Sequence, residues 1–102
     1  MNDPGFVVAV DHPALTGHFP GNPLVPGVMI LEEIIVITQN TYPEFHIAGL
    51  RDAKFHRPLP PGEYCHLEIL LPTGGYMQFK GYHQNELLVE GTLIITGEIG
   101  SG

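Results

Sequence analysis

The sequence predicts an α+β domain in which an antiparallel sheet curls around one long helix. Three observations predict it: a short β-branched strand near the start, a helical segment free of glycine and proline, and four later strand-like segments separated by turn residues. At 102 residues the chain has room for one hydrophobic core. We therefore predict a single domain over residues 1–102, with a flexible tail from about 97 to 102.

The first strand is predicted over residues 5–11, an apolar and β-branched run. It ends ahead of Pro13, because a proline restricts the backbone of the residue before it. Between Thr16 and Gly27 glycines and prolines recur at short intervals, which excludes a helix interior or a central strand. We therefore predict a shaped loop in this region.

The helix is predicted over residues 28–39, with Pro26 in its first turn and Pro43 beyond its end. Apart from Glu32, Glu33 and the polar C-terminal end, its side chains are apolar on every side. This pattern is typical of a helix that other structure encloses. We therefore expect the sheet to wrap the helix and to shield Glu32 from water.

Four strand-like segments follow the helix, each rich in β-branched and aromatic residues. Turns that contain proline, glycine or asparagine separate them. We predict that they form an antiparallel meander, with strands over about residues 46–55, 63–71, 76–82 and 87–96.

The composition excludes several classes of protein. A formal net charge of −7 argues against a nucleic-acid partner, because phosphate binding needs many lysines and arginines. The apolar runs are far shorter than the ~20 residues that span a bilayer. The first residues lack the basic start of a secretory signal, so we expect a cytoplasmic protein. Cys65 is the only cysteine, which predicts a reduced core residue and no disulfide within the chain.

Positive charge is concentrated in one place. Residues 1–50 contain no lysine or arginine, whereas Arg51, Lys54 and Arg57 fall within seven residues. These three residues, called here the cationic patch, are either a solvated strand edge or a docking point for an acidic or phosphorylated carrier. The six histidines show no metal-binding spacing, so we predict no metal site.

Three groups around the loop could act together in catalysis. His18 titrates near neutral pH and lies in a proline-stiffened loop, which suits a general base. Gly27 lies at the helix start, where free N–H groups favour negative charge. Burial favours the neutral form of a carboxyl group, so a shielded Glu32 could act as a general acid. This set predicts removal of water from a 3-hydroxyacyl thioester.

The loop and helix start also resemble a known family. Residues 17–28 read Gly-His-Phe-Pro-Gly-Asn-Pro-Leu-Val-Pro-Gly-Val, and Glu32 follows His18 by fourteen positions. Both features resemble the FabZ/FabA-type 3-hydroxyacyl-[acyl-carrier-protein] dehydratases, which have the hot-dog fold. The resemblance continues through residues 47–50 and 53–63 and so covers nearly the whole chain. The short chain is similar to the dehydratases of aryl-polyene gene clusters.

The resemblance implies a homodimer, or a higher oligomer of dimers, in which His18 of one subunit faces Glu32 of the other. It implies that the Gly27 amide binds the thioester carbonyl, and we expect Val28 and Phe19 in the substrate site. The implied partner is an acyl carrier protein with its phosphopantetheine-linked acyl chain, for which the cationic patch is the expected docking point. No cofactor is expected.

Two departures from the family leave alternatives open. Val36 stands where the family usually carries a glutamine, and the region ahead of the first strand is short. One alternative is a hot-dog thioesterase, in which Glu32 would activate water. The other is a non-catalytic acyl-binding subunit that pairs with an active dehydratase. The loop could also simply cap the helix, and Phe19 could simply pack in the core.

Overall fold

A computed structural model describes residues 4–15 and 24–98. Within these ranges, five strands form one antiparallel sheet, and one α-helix packs against a single face of it. The predicted α+β class is thus confirmed. The elements are β1 (Gly5–Val7), a 3-10 turn (Pro13–Leu15), α1 (Gly27–Thr41), β2 (Phe45–Phe55), β3 (Tyr64–Ile69), β4 (Tyr76–His83) and β5 (Glu86–Glu98).

The first strand is shorter than predicted. It ends at Val7, and the chain then turns, with the His12 amide donating to the Ala9 carbonyl at 3.0 Å. Val8 remains 3% exposed and joins the core, whereas Val10 is 68% exposed. β-Branched residues do not extend a strand where no neighbouring strand continues to pair with it.

The strand order across the sheet is β1-β3-β4-β5-β2. The predicted meander is therefore correct only for β3, β4 and β5, because β2 pairs with β5 at the opposite edge of the sheet. Residues 56–63 link β2 to β3, and this connection is longer than the two to five residues of a tight hairpin. β5 also extends to Glu98, inside the segment predicted as a flexible tail.

Extra residues interrupt the pairing between β2 and β5. Ile47 and Gly49 face consecutive residues of β5, which leaves Ala48 as an extra residue, and Arg51 is extra in the same way. On the other side of β5, Leu88 is extra relative to β4. Such bulges increase the local twist of a strand, which is consistent with a sheet that curls towards its helix.

One side of α1 packs against the sheet. Ile30, Ile34 and Thr38 recur at intervals of four residues and are at most 2% exposed. On another side, Val28 is 64% exposed and Val36 is 56% exposed. The expectation of a fully enclosed helix is therefore wrong for one chain, because the sheet covers only one side of the helix.

The C-terminal end of α1 is fixed to the start of β2 by one side-chain amide. Gln39 donates a hydrogen bond to the Phe45 carbonyl and accepts one from the Ile47 amide at 3.1 Å. This double contact sets where β2 begins relative to the helix. No helix in the described ranges is long and apolar enough to cross a membrane.

Cys65 lies in the hydrophobic core, as expected for a small apolar side chain. It is fully buried, and this burial raises the pKa of its thiol from 9.0 to about 11. A hydrogen bond with the Tyr82 backbone acts in the opposite direction but is the smaller effect. The thiol is therefore neutral in the folded chain at physiological pH.

The Cys65 thiol should make stability depend on pH in the alkaline range. Below pH 9 the thiol is protonated whether the chain is folded or unfolded, so its contribution is constant. Between pH 9 and about 11 the unfolded chain loses the proton first, so the free energy of unfolding should fall by up to about 2–3 kcal/mol. In urea unfolding, the free energy of unfolding of Cys65→Ala should fall less steeply with rising alkaline pH than that of the unsubstituted protein. Equal slopes would contradict the assignment of this fall to the Cys65 thiol.

Candidate active site

The N-terminal end of α1 carries backbone donors that the helix itself does not use. Pro26 is the N-cap and supplies no side-chain cap, while its carbonyl accepts from the amides of Met29 and Ile30. Among the described residues, the Gly27 and Val28 amides have no hydrogen-bond acceptor. Two donors at the positive end of a 15-residue helix favour a bound oxyanion.

A cavity of about 420 Å³ opens at this helix end. Two contacts define its shape. The Val25 amide donates to the Leu59 carbonyl at 2.9 Å, which holds the entry to the helix against the loop after β2. The Phe55 ring packs so close to Gly27 that a Cβ there would lie 3.1 Å from Phe55 Cζ. The wall is mainly apolar and consists of Val25, Gly27, Ile30, Phe55, His56, Arg57, Pro58 and Leu59.

The Leu88 carbonyl of β5 positions the polar part of this wall. The amides of His56 and Arg57 both donate to this carbonyl, at 2.7 and 3.3 Å. One backbone acceptor of β5 therefore holds two successive residues at the end of β2. This arrangement places Arg57 beside the cavity that contains Gly27.

Glu32 does not lie on the wall of this cavity. Its side chain is exposed on the same side of α1 as Val28 and Val36, at spacings of four residues. The expected shielding of Glu32 from water is therefore wrong for a single chain, because the sheet covers a different side of the helix. His18 and Phe19 lie outside the described residues.

The cationic patch is not one continuous surface. Arg51 lies on the face of the sheet away from the helix, where its guanidinium is 4.7 Å from the centre of the Tyr76 ring and 4.0 Å from Asp52. Lys54 faces Glu90 across the β2–β5 pair on the same outer face. Arg57, in contrast, lines the cavity.

Arg57 of the cationic patch and its neighbour His56 each contact a glutamate. Arg57 forms an ion pair with Glu86 at 2.8 Å, and His56 Nε2 lies 2.8 Å from Glu90. Sequence reasoning missed both contacts, because they depend on the strand order, which places β2 beside β5. Among the described residues, no group of three potential metal ligands comes together.

Several known proteins are similar to this chain in sequence. The model of the ApeI-like family, described as ApeI dehydratase, matches residues 4–92. The 3-hydroxyacyl-[acyl-carrier-protein] dehydratase FabZ of Symbiobacterium thermophilum is 36% identical over 98 residues, covering 84% of this chain and 69% of the relative. FabZ of Thermomicrobium roseum is 33% identical over 100 residues, covering 90% and 66%. This chain thus spans about two thirds of the length of these relatives.

Solved structures give the same fold. The dehydratase heterocomplex ApeI:P from Xenorhabdus doucetiae matches with a TM-score of 0.76 at 22% identity, covering 89% of this chain and 82% of that one. At this level of identity the likeness concerns the fold alone. The predicted hot-dog architecture, an antiparallel sheet that curls around one helix, is confirmed.

Proposed function

This chain belongs to the ApeI-like dehydratase family, and on that premise we propose that it removes water from a 3-hydroxyacyl group carried as a thioester by an acyl carrier protein. The product would be the trans-2-enoyl thioester. The predicted resemblance to the FabZ-type enzymes and the predicted enzyme class, a dehydratase acting as a hydro-lyase, are confirmed. The carrier, the site residues and the oligomer remain proposals.

The open N-terminal end of α1 is the observation that best supports a role in thioester chemistry. When a base removes the C2 proton of the substrate, negative charge develops on the thioester oxygen. The Gly27 amide, with that of Val28 beside it, has no acceptor among the described residues and would stabilise such an oxygen, and Gly27 borders a mainly apolar cavity. The helix dipole adds to this stabilisation.

The remaining steps are assigned to the two residues that the sequence singled out. His18 takes the C2 proton, Glu32 donates a proton to the C3 hydroxyl, and that group leaves as water. Phe19 is proposed to border the acyl group. These roles balance the protons of the reaction, since one is removed at C2 and one is supplied at the departing oxygen.

A second copy of the chain is part of this proposal. Glu32 lies between two exposed valines, Val28 and Val36, and apolar side chains in such a row favour burial against a partner. β2 lies at the edge of the sheet and offers an edge for pairing. A homodimer that covers this side of α1 would remove Glu32 from water and bring His18 of the second copy beside it.

The carrier is proposed to dock where the structure places the members of the cationic patch. Arg57 is the member closest to the chemistry, because it shares a cavity with Gly27. Arg51 and Lys54, on the outer face, would contact the acidic surface of the carrier. No metal or cofactor takes part in this scheme. A cytoplasmic location and a single domain over residues 1–102 also stay predictions.

The proposed reaction has a direct test. Purified protein mixed with a 3-hydroxyacyl thioester of acyl carrier protein should produce the ultraviolet absorbance of a conjugated enoyl thioester. Release of free thiol, measured with a thiol reagent, would instead indicate the thioesterase alternative. Neither signal in the presence of a properly folded carrier would indicate an acyl-binding subunit and would contradict the proposed activity.

A further inference from the structure

We propose that Arg57 binds the phosphate of the substrate's phosphopantetheine arm and that Glu86 forms an ion pair with Arg57 in the absence of substrate. This inference rests on the proposed function. It adds a residue that no sequence pattern indicates, Glu86, and gives it a defined role. Glu86 is a competitor for the arginine and thereby sets how strongly the enzyme distinguishes thioesters that carry a phosphate from those that do not.

The position of Arg57 supports the first half of the proposal. Arg57 lines the same cavity as Gly27, so a thioester bound at the helix end would pass this arginine as it leaves the cavity. The double hydrogen bond from His56 and Arg57 to the Leu88 carbonyl fixes the backbone at this point. Guanidinium groups bind phosphate through two parallel hydrogen bonds, which makes arginine a suitable receptor.

The contact with Glu86 supports the second half. Arg57 Nη1 lies 2.8 Å from Glu86 Oε1, and the two side chains are 47% and 57% exposed. Ion pairs with this much exposure to water contribute little to stability, so a phosphate group that binds the guanidinium through two hydrogen bonds can displace the carboxylate. Glu86 itself is fixed at the start of β5, opposite His83, and therefore remains close to the arriving phosphate.

The other charged residues near the cavity do not fit the role of Glu86. Glu90 pairs with His56 Nε2 and faces Lys54 and Lys80 in the neighbouring strands, so it belongs to the outer face of the sheet. Glu63 pairs with His83 at 3.0 Å. Among the described residues, Glu86 is thus the carboxylate that forms an ion pair with Arg57.

The test compares two substrates that differ only in the phosphate: 3-hydroxyacyl pantetheine and 3-hydroxyacyl 4′-phosphopantetheine. With Glu86→Gln, KM for the phosphorylated substrate should fall about twofold to fivefold, because Arg57 no longer has to break an ion pair before it binds the phosphate. KM for the other substrate should stay the same. Glu90→Gln is the matched control and should change neither value.

A double variant shows whether Glu86 acts by competing for Arg57 or only through its negative charge near the cavity. Adding Arg57→Gln to Glu86→Gln should remove the gain for the phosphorylated substrate, because the gain acts through the arginine. An equal fall in KM for both substrates, or a gain that persists without Arg57, would overturn the proposal. Turnover of the 3-hydroxyacyl thioester of acyl carrier protein by the unsubstituted protein is measured first. Its absence would refute the proposed function, whereas turnover of that substrate with no effect of Glu86→Gln on KM for the phosphorylated thioester refutes only this inference.

Discussion

Glu32→Gln should reduce the rate of enoyl formation by about 10²–10⁴, the usual contribution of a general acid. The amide keeps the shape of the side chain but has no acidic proton to give to the departing hydroxyl. The fold should be retained, because the single chain does not use this side chain in its core and the amide has nearly the same size. Initial rates with a 3-hydroxyacyl thioester and the midpoint of urea unfolding measure the two quantities.

Glu33→Gln provides the matched control for Glu32. The two carboxylates are adjacent in sequence but point in directions about 100° apart around the helix. Glu33→Gln should retain most of the activity. Similar losses in both variants would show that negative charge on α1, rather than a specific proton donor, supports the reaction.

Mixing two inactive variants tests whether the site is shared between subunits. His18→Ala and Glu32→Gln should each be inactive alone. If His18 of one copy works with Glu32 of the other, each mixed dimer contains one intact site, and random exchange should restore about a quarter of the activity. No recovery after confirmed subunit exchange would place both residues of a site on the same chain and refute the shared arrangement.

Gly91→Ala should be among the most destabilising single substitutions in the sheet. A Cβ at Gly91 would overlap the Asp52 carbonyl oxygen and would lie 2.6 Å from Phe79 Cζ. The carbonyl belongs to paired backbone and Phe79 is 1% exposed, so neither can move without disturbing the core. Overpacking of this kind costs about 1–3 kcal/mol or more. The midpoint of urea unfolding should fall accordingly.

Gly49→Ala is the control for Gly91, because it makes the same chemical change in the strand next to β5. A Cβ at Gly49 would meet nothing within 4 Å, and the residue does not have a positive φ. The substitution should therefore leave stability within about 1 kcal/mol of the original, with a small gain if the unfolded chain loses freedom. Equal losses at both glycines would mean that backbone flexibility, not crowding, explains the effect at Gly91.

Local patterns predicted the elements well but not their arrangement. The helix was predicted at residues 28–39 and occupies Gly27–Thr41, because proline, glycine and the apolar run set its limits locally. The place of β2 beside β5 could not be predicted in this way. It depends on a helix that crosses the sheet and on pairing between strands distant in sequence.

In the candidate site, too, local features could be predicted from the sequence and tertiary contacts could not. Gly27 was correctly predicted at the helix start, because the end of a helix is a local feature. The exposure of Glu32 was not predicted, since an apolar helix looks the same in sequence whether its own sheet or a second chain covers it. The ion pair between Arg57 and Glu86 also escaped prediction, because it depends on the pairing of β2 with β5, two strands that are distant in sequence.

The bulges of β2 also bear on how the protein avoids aggregation. An exposed edge strand can act as a template on which unfolded chains add further strands. Ala48 and Arg51 each interrupt the regular spacing of backbone donors and acceptors along this edge. A flat, regular strand could match only a few consecutive residues before its alignment fails, so amyloid-like growth is disfavoured here. A strand whose backbone donors and acceptors have the same irregular spacing as those of β2 could still pair along the whole edge.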